Sequence, residues 1–68
     1  DEFAQIMTEI IKDTDAISFA RSGAVDNIAA HCSKETFNSL AAVIDGLTDK
    51  DAKSIQDTYK SQAEKLNQ

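Results

Sequence analysis

No proline interrupts this chain, and its only two glycines are Gly23 and Gly46. Alanine, the strongest helix former, occurs ten times. Proline and glycine are the residues that most readily stop a helix. A backbone with so few breakers is predisposed to helix, and no alternating β-branched run or tight hairpin signal competes with that reading. The expected fold class is therefore all-α.

Apolar spacing divides the chain into segments. Phe3, Ile6, Met7, Ile10, Ile11, Thr14 and Ile17 recur every three or four positions, which places them on one helical face. This periodicity predicts a first helix over about 2–21. Asp1 and Glu2 suit the positive end of its dipole, Arg21 suits the negative end, and Gly23 is expected as a left-handed cap. Val25, Ile28, Ala29 and Cys32 continue the pattern over 24–32. Ser33 then offers an N-cap, and Phe37, Leu40, Ala41 and Ile44 form a stripe over 34–45. One unbroken helix over 24–45 is the alternative, since neither glycine nor proline enforces the break. Gly46 ends this stretch, and Thr48 with Asp51 resembles a capping box. Ala52, Ile55, Tyr59, Gln62, Ala63 and Leu66 line a last helix over about 49–66. Short connections between these segments predict a small antiparallel bundle of three or four helices. The expected core is Phe3, Ile6, Met7, Ile10, Ile11, Ile17, Val25, Ile28, Phe37, Leu40, Ile44, Leu47, Ile55, Tyr59 and Leu66.

Sixty-eight residues form one domain with one core. Cores of this size supply only ~3–5 kcal/mol, and natural ones are commonly reinforced by disulfides, metals or association. A single cysteine, Cys32, cannot form an internal disulfide, and a single histidine, His31, argues against a structural zinc site. Association with another chain, or membership of a larger parent protein, is the reinforcement left open.

The charge is −5, from 12 acids and 7 bases. Nucleic-acid affinity rests on basic side chains that displace counterions, so no nucleic-acid partner is expected. Apolar runs are too short for a membrane span, and no cationic stretch leads into an apolar run as in a signal peptide.

Adjacent residues on a helix point about 100° apart, so His31 and Cys32 do not face each other as a base and a nucleophile must. Acidic runs beginning at Asp13 and Asp49 place Ser18 and Ser54 where a calcium-binding loop requires glycine. No catalytic residue, metal ligand or cofactor site is assigned.

Two family resemblances bear on function. Residues 28–40 resemble a helix-turn-helix in their Ile-Ala start and in a polar second helix opening with serine. The segment that would read DNA carries one base, Lys34, beside Glu35. Residues 33–66 resemble the last two helices of secretoglobins in helix length and in the short junction 44–48. That resemblance implies a dimer around an apolar cavity, although the terminal cysteines that join secretoglobin subunits are missing.

The leading expectation is a non-enzymatic protein-interaction module, self-associating through an apolar helical face. Phe19 and Val43, which fall off the main stripes of their helices, are the expected contact surface. The alternative is a carrier for a small apolar ligand or lipid, held between helices or at a dimer interface and lined by Met7, Phe37 and Tyr59.

Overall fold

A computed structural model describes residues 1–67, and every regular element in it is an α-helix. The order is α1 (Glu2–Lys12), α2 (Ser18–His31), α3 (Lys34–Ser39), α4 (Ala41–Asp45) and α5 (Ala52–Leu66). Only Leu40 separates α3 from α4, and it keeps helical angles, φ −70° and ψ −16°. These two short helices make one bent arm, so four helical arms pack together. The Cα radius of gyration, 10.7 Å, equals the roughly 11 Å expected of a packed chain this long.

Local chemistry explains where each helix starts and stops. The Asp1 carboxylate accepts the Ala4 amide at 2.8 Å and opens α1. The helix stops at Lys12, earlier than the expected 2–21 span. Asp13 diverts the chain: its carboxylate accepts the Asp15 amide at 2.9 Å, and its carbonyl accepts the Ala16 amide at 3.2 Å. An aspartate that bonds its own backbone two residues on forms a turn that competes with helix. Ile17 is then extended, φ −67° and ψ 149°, and α2 begins after it. Gly23 lies inside α2 and no described residue has positive φ, so the expected left-handed cap does not form.

Cys32 and Ser33 break the chain between α2 and α3, which decides between the two readings of 24–45. Ser33 is extended, and its hydroxyl accepts the Thr36 amide at 3.1 Å. Gly46 closes α4 in a right-handed conformation, φ −81° and ψ −7°. The last helix starts at Ala52, because Asp49 makes a second side-chain turn. Its carboxylate accepts the Asp51 amide at 3.0 Å. Asp49 thus does the work expected of a Thr48–Asp51 box.

α2 is the central element, and both α1 and α5 pack along it. Contacts between Met7 and Asn27 and between Phe3 and His31 run α1 antiparallel to α2. Hydrogen bonds from Thr58 to Ser22 and from Gln62 to Asp26 run α5 parallel to α2. The bent α3–α4 arm makes that parallel pairing possible by carrying the chain back to the start of α2.

This arm is fastened to α5 by two polar side chains. Tyr59 donates its hydroxyl to the Phe37 carbonyl at 2.9 Å, and Gln56 donates to the Ile44 carbonyl at 3.0 Å. Both acceptors sit at helix ends, where each also accepts an amide three residues on, Leu40 for Phe37 and Leu47 for Ile44. The Phe37 and Tyr59 rings stack, with centroids 4.5 Å apart and planes at 13°.

The core contains Ile11, Ala24, Val25, Ile28, Phe37, Leu40, Ile44 and Ile55. Met7, Ile10, Leu47, Tyr59 and Leu66 pack around it as partly buried residues. Three expected core residues are exposed instead: Phe3 at 40%, Ile6 at 53% and Ile17 at 69%. Ile17 is displaced because it belongs to the turn. Ile6 lies on the edge of α1 that α2 does not cover, and Phe3, in the first turn of α1, meets α2 at His31, its last residue. No helix among the described residues is long and apolar enough to cross a membrane.

Candidate functional site

At 100° per residue, Ile6, Ile10, Phe3, Met7 and Ile11 spread across an arc of about 140° on α1. Ile11 and Ala4 occupy the inner edge and are buried against α2. Met7 and Ile10 are half-buried in the middle. Ile6 forms the outer edge and is 53% exposed, and Phe3, near the middle of the arc but in the first turn, is 40% exposed beside His31. The result is an apolar ridge whose inner flank belongs to the core and whose outer flank meets solvent.

Specific neighbours bound this ridge. The Phe3 ring meets the edge of His31 in a T-shaped contact, with centroids 6.1 Å apart. Asn27 approaches the Met7 sulfur at 3.9 Å. Beyond Ile6, away from the core, helical spacing places Glu2, Glu9 and Asp13 within about 60° of it. All three are exposed.

A second exposed apolar site follows the end of α1. Ile17 and Phe19, at the turn into α2, are 69% and 83% exposed. Phe19, a contact residue expected from its sequence position, lies in solvent. Val43, its expected companion, is half-buried and packs against the core. The two are not brought together as one uncovered surface.

Met7, Phe37 and Tyr59 are distributed differently. Phe37 is wholly buried and its face is taken by the Tyr59 ring. Met7 lies on α1, against Asn27. Tyr59 alone of the three borders a groove of about 460 Å³ between α4 and α5, with Ile44, Ala63, Asp45 and Lys60. A more polar groove of about 370 Å³ lies between α2 and α5, lined by Asp26, Asp57, Thr58, Ser61, Gln62 and Lys65.

His31 is exposed beside Phe3, whereas Cys32 is half-buried and packs against the core. Among the described residues, no three His, Cys, Asp or Glu side chains are grouped to hold a metal ion.

Arg21, which the sequence places at the negative end of a first helix, lies instead within α2. It is the one buried charged residue among those described, at 0% exposure. Its Nε donates to the Ile11 carbonyl at 2.8 Å, and its terminal nitrogens donate to Asp49 at 2.7 and 2.9 Å. The guanidinium thereby ties the end of α1 and the turn before α5 to α2. These hydrogen bonds hold the Asp49 carboxyl well below the usual carboxylate range, against the opposing effect of its burial. The same bonds raise the Arg21 pKa, so the pair stays ionised. Each of the three guanidinium nitrogens thus donates to the Ile11 carbonyl or to the Asp49 carboxylate.

Comparison with protein-family models, curated proteins and solved structures finds no match for this chain.

Proposed function

We propose that this chain is a non-enzymatic helical interaction module whose docking surface is the outer edge of α1. One observation carries the reading: Phe3 and Ile6 stay 40% and 53% exposed while the core beneath them is filled. Exposed large apolar side chains in register on one helix edge are a typical place for a partner helix to lie. Ile17 and Phe19 extend the apolar character to the far end of α1. A core this small also gains from any contact that adds burial.

An NMR titration of the labelled chain with a panel of amphipathic helical peptides tests the proposal. The expected result is a set of shift changes centred on Phe3, Ile6 and Ile10. Absence of binding across the panel, together with a monomer at every concentration in sedimentation equilibrium, would overturn it.

The alternative of a small-ligand carrier draws its support from the α4–α5 groove, whose apolar wall is Ile44, Tyr59 and Ala63. Native mass spectrometry of protein purified from its source tests this second reading by looking for a co-purified apolar ligand.

A further inference from the structure

We infer that the ridge on α1 receives an amphipathic helix of a different chain, one carrying lysine or arginine along one edge of its apolar face. The inference rests on the docking role proposed above and adds the chemistry of the partner.

Charge complementarity carries it. Residues 1–20 contain five acids, Asp1, Glu2, Glu9, Asp13 and Asp15, against a single base, Lys12. Arg21, the next base along the chain, is buried and committed to Asp49 and the Ile11 carbonyl. Lys12 falls about 120° around the helix from Ile6, on the far side of the acidic row. Glu2, Glu9 and Asp13 therefore border the ridge with Lys12, three residues from Glu9, as the one exposed base of that stretch, and the edge is net negative. Among the described residues, the ion pairs are Arg21–Asp49 and Lys53–Asp57, neither of which includes them.

The spacing defines what would fit. Glu2 and Glu9 are seven residues apart, or about 10 Å along the axis at 1.5 Å per residue. A partner helix with basic residues two turns apart on one edge matches that separation. Its apolar positions, three or four apart, would then lie on Phe3, Ile6 and Ile10, as in other helix-to-helix recognition.

Two other occupants fit less well. A second copy docking ridge to ridge would bring two net-negative edges to one interface, and like-charge juxtaposition opposes association. An anionic lipid surface would be repelled by the same carboxylates, since helices that bind such surfaces present basic polar faces.

The test uses three synthetic helical peptides with the same leucine face and with lysine, glutamine or glutamate along one edge. Each is titrated into the labelled 68-residue chain and followed by NMR. The lysine peptide is expected to shift the α1 resonances and to bind about fivefold more tightly than the glutamine peptide, as two exposed charge pairs allow. The glutamate peptide should bind most weakly. Raising the salt from ~0.1 M to ~1 M shortens the screening length from about 10 Å to about 3 Å and should erase the lysine advantage. A Glu2→Gln/Glu9→Gln variant should erase it at low salt while leaving the glutamine peptide unaffected. Equal binding of all three peptides on α1 would overturn the basic partner and leave the docking surface standing. A lysine peptide that shifts α5 instead of α1 would also overturn it. If no peptide binds and the α1 resonances move with protein concentration, the occupant is a second copy. If nothing binds and nothing moves, the docking role itself falls.

Discussion

Arg21 and Asp49, 28 residues apart in the chain, form a two-pronged ion pair at 2.7 and 2.9 Å. The two ends of this pair are not equivalent. The Arg21 side chain is fully buried, whereas Asp49 keeps 17% of its side chain in solvent.

That asymmetry predicts which partner is harder to remove. Replacing Arg21 with methionine leaves an aspartate that water can reach, and fills the space with an apolar chain of similar reach. Arg21→Met should cost about 1–2 kcal/mol, less than the loss expected when a buried charge is stranded. Asp49→Ala strands the guanidinium with only the Ile11 carbonyl as acceptor, and should be the more destabilising change. Urea unfolding midpoints of the two variants check the order. Equal midpoints would mean that the pair contributes through packing alone.

The same pair sets the response to acid. Asp49 has a lower pKa in the folded chain than in the unfolded one, chiefly because Arg21 donates to it. The unfolded chain therefore binds more protons as pH falls below the ordinary aspartate value, about 3.9. The stability contributed by the pair is complete above about pH 5 and is lost progressively below about pH 4. Unfolding midpoints at a series of pH values should fall in that window for the parent chain. The Asp49→Ala variant should lack this component of the fall.

Gly23 gives a prediction of definite sign. It sits within α2 without positive φ, and a Cβ built on it meets nothing within 4 Å. Alanine there loses less backbone entropy on folding. Gly23→Ala should raise stability by about 0.5–1 kcal/mol in thermal or urea unfolding. A left-handed cap at this position, as the sequence alone suggested, would have made the same change destabilising.

Gly23 also illustrates which parts of the fold periodicity can reveal. The helices of the second half were legible in outline because Ser33 as a cap, Gly46 as a stop, and Ile55 and Tyr59 facing inward agreed with the apolar stripe, although that stripe left the break at Ser33 open and hid the one at Leu40. The first half misled because the apolar spacing from Phe3 to Ile17 runs straight through the turn at Asp13. The competing signal was one aspartate bonding to its own backbone, which a long apolar pattern overwhelms. The burial of Arg21 was hidden for another reason. Its partner is far off in sequence, so no local pattern encodes the pair. Periodicity also identified the residues that share the α1 face, but it carries no information on how much of that face a neighbour covers. That width is what turned Phe3 and Ile6 from expected core into candidate surface.

The ridge itself can be separated from the core by comparing two isoleucines on one helix. Ile11 is 0% exposed and belongs to the core, whereas Ile6 is 53% exposed. Truncating a fully buried isoleucine removes its contacts and leaves a cavity, which costs ~2–5 kcal/mol. Ile11→Ala should therefore unfold much of the population, given a total stability of only a few kcal/mol for a core this small. Ile6→Ala should change stability by no more than about 0.5 kcal/mol, because much of its surface is already in water. Urea denaturation of the two variants reads this difference directly. The Ile6→Ala variant should also remain folded by circular dichroism while losing affinity for the lysine-edged peptide. An Ile6→Ala chain as damaged as Ile11→Ala would place Ile6 in the core and remove the ridge on which the docking role depends.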